Sequence, residues 1–199
     1  MNLKEFANNG KKIKISKEFY SKLTDKPFDK CTFCDKELLE SNEDYLIEKV
    51  IKQYKSLGSE DVLVEYAICL DCVEESMKTL SDESRQYIEK FFFEEHVIDG
   101  SNFTKMMSEN FNIEQWTEKC VFTGNLKKDL EEYNLIAQCR GDDLIFMVTP
   151  YIIDGRIFEK LFSNLSEKTK KDYGRFMDKV TDPPPEFKEI LKDRPLILI

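Results

Sequence analysis

Two C-x-x-C pairs, Cys31-Thr32-Phe33-Cys34 and Cys69-Leu70-Asp71-Cys72, stand 34 residues apart and constrain this chain more than any other feature. A two-residue gap lets neighbouring sulfurs occupy two corners of a tetrahedron about 2.3 Å from a metal, so two such pairs complete a four-thiolate shell. The pattern predicts one zinc ion per chain held by Cys31, Cys34, Cys69 and Cys72, with zinc ahead of iron. Four sulfurs leave no position for substrate or activated water, so the expected ion is structural.

That reading depends on the compartment. No apolar run approaches the roughly 18 residues of a membrane span, and the opening MNLKEFANNGKKIKIS carries no signal-peptide core. The expected location is cytoplasmic, away from membranes, where cysteines serve as ligands, reactive thiols or buried small residues rather than as disulfides. With 199 residues, 41% of them apolar, the chain has the material for a buried core.

The long spacer between the pairs has its own pattern. Tyr45, Ile47 and Val50 mark a strand, Ser56 to Ser59 a turn, and Val62 to Ile68 a second strand that runs straight into Cys69. Val73, Met77 and Leu80 then share a helical face, with Glu74 and Glu75 expected in the first turn. Ser81-Asp82-Glu83 reads as the N-cap and acidic first turn of another helix, carrying Tyr87, Ile88, Phe91 and Phe92 inward. Upstream, a short helix at Leu3 to Ala7, a strand through Ile13 and Ile15, and a helix capped by Ser16 and bearing Phe19, Tyr20 and Leu23 are expected.

Knuckle, hairpin and a second C-x-x-C opening a helix resemble the treble-clef group of zinc fingers, over roughly Cys31 to Phe92. The resemblance implies a structural zinc. It implies little about function, because that group serves in nucleases, ribosomal proteins, ubiquitin-related domains and transcription factors alike.

The same order of features returns further along. Lys30-Cys31-Thr32-Phe33-Cys34-Asp35 is echoed 89 positions later by Lys119-Cys120-Val121-Phe122-Thr123-Gly124, and Glu43-Asp44-Tyr45 by Glu131-Glu132-Tyr133 at 88. Leu80-Ser81-Asp82 recurs as Leu165-Ser166-Glu167, and Phe91 as Phe176, both at 85. The second strand pair is read as YNLIAQ and DDLIFMV around Arg140-Gly141. The second copy lacks the ligands: Thr123 stands for Cys34, and Asp154 and Ile157 for Cys69 and Cys72. Cys120 and Cys139 are therefore expected to be buried free thiols.

These features predict an α+β protein of two similar knuckle, hairpin and helix-pair units, the first zinc-bound and the second metal-free, packed as one compact body. The expected organisation is a basic N-terminal arm over residues 1–30, the zinc unit over 31–100, and the degenerate unit with a C-terminal helix and tail over 101–199. Phe91, Phe92 and Phe93 cannot all face one core, so one of them is expected to touch the other half.

Catalytic signatures are missing. The only histidine is His96, which argues against an HNH-type nuclease, and no GxxxxGK[ST], GxGxxG or GxSxG occurs. Asp142 and Asp143 read as hairpin residues, and Asp154 as a helix cap or a lone acid. No catalytic residue is assigned. Residues 31–99 hold 18 acids against seven bases, which disfavours nucleic acid unless Lys11, Lys12, Lys14, Lys17, Lys22 and Lys26 bind it. The preferred reading is a non-enzymatic zinc protein with a protein partner. A thiol redox sensor using the two cysteine pairs is the first alternative, and nucleic-acid association through the lysine arm is the second.

Overall fold

The run DYLIEKVIKQY, rich in β-branched and aromatic residues, forms an eleven-residue strand whose first eight residues are all buried. A strand hidden on both faces needs cover on both, and the rest of the fold supplies it. The computed structural model describes residues 10–91, 111–146 and 149–180. Its elements are β1 (Lys11–Lys14), β2 (Asp44–Tyr54), β3 (Ser59–Cys69), α1 (Leu70–Lys78), α2 (Asp82–Lys90), α3 (Ile113–Trp116), β4 (Glu132–Arg140), β5 (Asp143–Phe146), β6 (Tyr151–Asp154), α4 (Gly155–Ser163) and α5 (Glu167–Val180). The architecture is α+β. The expected helices at Leu3 to Ala7 and after Pro185, together with His96, Phe92, Phe93 and Phe176's side chain, lie outside what is described.

All six strands belong to one antiparallel sheet in the order β1-β5-β4-β2-β3, with β6 lying beside β4 next to the end of β5. The centre is the β2–β4 ladder. Tyr45 faces Cys139, Glu48 faces Ile136, and Ile51 faces Tyr133. Residue 48 thus opposes residue 136, its own counterpart at the 88-residue offset, and Tyr45 and Tyr133 take matching places either side of that point. Asp44 closes one end, pairing with the guanidinium of Arg140 and accepting from Gln138 Nε2 at 3.2 Å.

Local geometry recurs across the ladder. Cys31 N donates to Lys36 O at 2.8 Å and Asp35 N to Cys31 O at 2.9 Å; Cys120 N donates to Asn125 O and Gly124 N to Cys120 O, both at 2.9 Å. Asp35 and Gly124 turn these loops with φ of 58° and 69°. Thr32 N reaches Ala67 O at 2.9 Å, and Val121 N reaches Ile152 O at 3.1 Å, so each knuckle is stitched to the strand that leads into a helix.

Two apolar clusters flank the sheet. In the larger, Tyr45, Ile47, Ala137 and Leu144 of the sheet meet Phe19 of the arm, Leu38 and Leu130 of the loops, and Trp116 of α3. In the smaller, Ile136 and Ile153 meet Ile88, Phe91, Phe158 and Leu161 from α2 and α4. Phe91 is fully buried there among residues of the second half, with the ammonium of Lys160 5.4 Å from its ring centre. The expected contact of the phenylalanine run across the two halves is therefore made by Phe91.

Three expectations are corrected. After Ser16 there is only a 3-10 turn, Lys17–Phe19, with no side-chain cap, and Leu23 is 91% exposed. The backbone groups that a helix would use go elsewhere: Tyr20 O accepts from Lys49 and Lys22 N donates to Glu65. Next, the strand following the Arg140-Gly141 turn is not the counterpart of β3. β5 meets β4 at only two positions and then pairs along β1, while β6 takes the β3 role, pairing with Tyr133 to Ile136 and opening α4. Finally, α1 begins at Leu70, so Glu74 and Glu75 fall past its first turn, where Asp71 stands instead.

Candidate metal centre

The first knuckle is built before any metal is considered. The backbone bonds of Cys31 close the loop, a bridge between Lys30 and Glu37 ties its ends, and Thr32 Oγ1 accepts from Ala67 N at 3.2 Å to dock it on β3. Cys69 is the last residue of β3 and, with φ −68° and ψ 153°, the N-cap of α1. One helical turn on, Cys72 points back to the same place.

These elements bring Cys31, Cys34, Cys69 and Cys72 together, with every sulfur within 4.8 Å of the others. Cys31 and Cys72 sulfurs are 3.9 Å apart, and those of Cys34 and Cys69 3.7 Å. A tetrahedron of sulfurs at 2.3 Å from its centre has edges of about 3.8 Å, so the four side chains fit a tetrahedral thiophilic ion. This is the only such cluster of His, Cys, Asp and Glu among the described residues.

Electrostatics point the same way. Burial opposes ionisation of Cys31, but the N–H groups of Cys69, Phe33 and Cys34 outweigh it and hold its pKa below the ordinary thiol value. Cys69 N is 3.5 Å from the Cys31 sulfur. Burial pushes Cys69 up to about 11, with the Cys31 charge adding to it, and Cys72 goes up further. One thiolate is prepared, and burial holds Cys69 and Cys72 back from following it unless a cation stands among them. Cys31 and Cys69 are buried, Cys72 half-buried and Cys34 exposed. Outside the shell, Lys36 bridges Glu43 and Asp71, clamping the knuckle's far side to the first turn of α1.

In the second half the same cradle is filled differently. Cys120 Sγ accepts from Thr123 N at 3.4 Å and from Asp154 N at 3.2 Å. Thr123 turns its hydroxyl to Asn125 N at 3.3 Å. Asp154 caps α4 by accepting from Arg156 N at 3.1 Å and pairs with that residue's guanidinium, which resolves its two earlier readings in favour of the cap. Ile157 sinks into the smaller apolar cluster. Cys139 is fully buried in β4 and its thiol is pushed up by burial, so it and Cys120 are buried free thiols as expected.

Two buried ionisable residues on β2 escaped the sequence reading. Glu48 is 2% exposed, accepts from Tyr66 and from Asn134 Nδ2 at 2.6 Å, and has a pKa pushed up to about 7 by burial. Lys49 is 3% exposed and pairs with Glu65 at 3.1 Å. The signal was present as a Glu-Lys step between the apolar residues Tyr45 to Ile47 and Val50 to Ile51. Of the arm lysines, Lys14 is committed to Asp142 at 2.7 Å and Asp143 at 3.0 Å.

No described helix is long and apolar enough to cross a membrane. Compared with known proteins, the chain matches no protein-family model, no curated protein sequence and no solved structure.

Proposed function

We propose that this is a non-enzymatic zinc protein in which a treble-clef-like unit and a metal-free counterpart of the same ancestry form one body for engaging a protein partner. The observation that carries the zinc is the sulfur geometry: contacts of 3.7 and 3.9 Å match the edges of a tetrahedral four-thiolate shell. Knuckle, β2–β3 hairpin and a helix opened by Cys69 support the treble-clef reading. The recurrence of knuckle bonds at offsets of 85 to 89 residues supports the common ancestry.

In this reading the ion does structural work. It joins the knuckle, the end of β3 and the first turn of α1, the three segments that carry the four cysteines. The excess of acids over bases in residues 31–99 favours a partner with a basic face. Elemental analysis of the purified protein beside Cys34→Ser tests the centre. One zinc per chain, lost in the variant, supports it; a metal-free wild type refutes it.

The exposure of Cys34 favours a second reading. Peroxide reaching Cys34 would oxidise it and Cys69, 3.7 Å away, to a disulfide, with the two electrons reducing peroxide to water and zinc released. Retention of zinc through mild peroxide treatment removes the redox reading and leaves the structural one standing.

A further inference from the structure

The four cysteines are not equally accessible. Cys31 and Cys69 are buried, Cys72 is half-buried and Cys34 is exposed. A competing ligand therefore meets the shell first at Cys34, at the far end of the knuckle, and whatever holds that end in place controls how readily the shell opens.

The near end is tied to β3 by Thr32, whose N–H donates to Ala67 O at 2.9 Å and whose Oγ1 accepts from Ala67 N at 3.2 Å. The far end is tied by charge. Lys36, two residues past Cys34, pairs with Asp71 at 2.9 Å and with Glu43. Asp71 lies between Cys69 and Cys72 in the first turn of α1, and Glu43 directly precedes β2. One ammonium thus links the segment carrying Cys34 to the segment carrying Cys72 and to the sheet.

The second knuckle offers a comparison within the same molecule. At the offsets of 89, 88 and 85 residues at which the two halves match, Lys36, Glu43 and Asp71 correspond to Asn125, Glu131 and Arg156. A neutral amide stands in place of the ammonium, and Arg156, opposite in charge to Asp71, pairs with Asp154 instead. The clamp accompanies the four-sulfur cluster and cannot form at the knuckle that lacks it.

We propose that Lys36 is a positioning residue of the metal centre: through Asp71 and Glu43 it holds the Cys34 and Cys72 segments together and slows the exit of the ion. The proposal rests on the zinc reading above. Two ion pairs to exposed carboxylates should slow release by a modest factor, about three-fold or more. Salt should reduce that factor, since the screening length falls from about 30 Å at 0.01 M to about 3 Å at 1 M.

The test mixes the zinc-loaded full chain with excess chromogenic chelator and follows zinc release at low and high sodium chloride, for the wild type, Lys36→Met, Lys36→Arg and Lys78→Met. Lys78 pairs with Glu75 inside α1, so Lys78→Met removes an exposed ion pair from the same helix without touching the knuckle. Lys36→Met should keep one zinc per chain and release it about three-fold or more faster than the wild type at low salt, the ratio approaching one at high salt. Lys36→Arg should restore the slow rate, and Lys78→Met should leave it unchanged. Equal rates for the wild type and Lys36→Met, a ratio that high salt does not diminish, or the same acceleration by Lys78→Met would each overturn the clamp and leave the zinc centre standing. A wild type without zinc would overturn both.

Discussion

The backbone N–H of Asp154 donates to the sulfur of Cys120 at 3.2 Å, as that of Cys69 does to Cys31 at 3.5 Å. Each knuckle sulfur thus meets an amide, and around Cys120 the neighbouring side chains are Thr123, which turns to Asn125 N, Asp154, which caps α4, and Ile157, which is buried in the smaller apolar cluster.

The two sulfurs should therefore separate cleanly by mutation. Cys31→Ser is expected to abolish metal binding, whereas Cys120→Ser should leave the zinc stoichiometry of the wild type intact. Cys120→Ser should still lower stability, by about 1–2 kcal/mol, because Cys120 is 2% exposed and packed. Metal content and denaturant midpoints of the two variants decide it; a drop in metal on losing Cys120 would assign the second knuckle a ligand role.

The cysteine cluster was legible because ligand spacing is a local property: two residues between sulfurs fix their separation wherever the chain goes. The β2–β3 hairpin was legible for a similar reason, its ends being tied to the two pairs. What local pattern could not show is how β4 shares its outer edge. β5 and β6 both read as apolar runs, and only the sheet decides that Cys139 and Arg140 take β5 while Tyr133 to Ile136 take β6. The helix expected after Ser16 fails by the same rule, since Lys49 and Glu65 bind the backbone groups that a helix would have used.

Metal removal should act unevenly. In small zinc peptides binding supplies about 10–16 kcal/mol of folding free energy, but the β2–β4 ladder and the smaller apolar cluster contain none of the four cysteines. Chelation is therefore expected to strip amide protection from residues 30–38 and from α1 while the ladder stays protected. Hydrogen exchange with and without chelator reads this directly, and a uniform loss of protection across the sheet would show the centre to be essential to the whole fold.

Glu48 makes a prediction about pH. Burial raises its folded pKa to about 7 from an ordinary carboxylate value of about 4.5, so the stability linked to its proton is complete below about 4.5 and is lost as pH rises through 7. The full difference is of order 3 kcal/mol. Glu48→Gln, which keeps an acceptor for Tyr66, should gain on the wild type as pH rises from 5.5 to 8. Taking the difference between the two proteins at each pH cancels the opposite pH trend of thiolate–metal binding. Parallel stability curves would mean that Glu48 does not titrate in this range.

Helices α2 and α5 start against each other, and their caps are shared. Ser81 Oγ and Ser166 Oγ are 2.8 Å apart; Ser81 N donates to Thr169 Oγ1 at 3.0 Å, and Ser166 N to Ser84 Oγ at 2.9 Å. Each hydroxyl also caps its own helix, with Ser84 N and Thr169 N both 3.2 Å from the serine three residues before. Two positive helix ends placed together repel, and Asp82, Glu83 and Glu167 in the first turns offset that. Ser81→Ala and Ser166→Ala should each cost about 1–2 kcal/mol, a lost cap plus an orphaned partner. Because each serine is the other's partner, the second substitution should cost less once the first is made, with a coupling of about 0.5 kcal/mol or more in a double-mutant cycle. Strict additivity in urea melts would show that the two helix starts are capped independently.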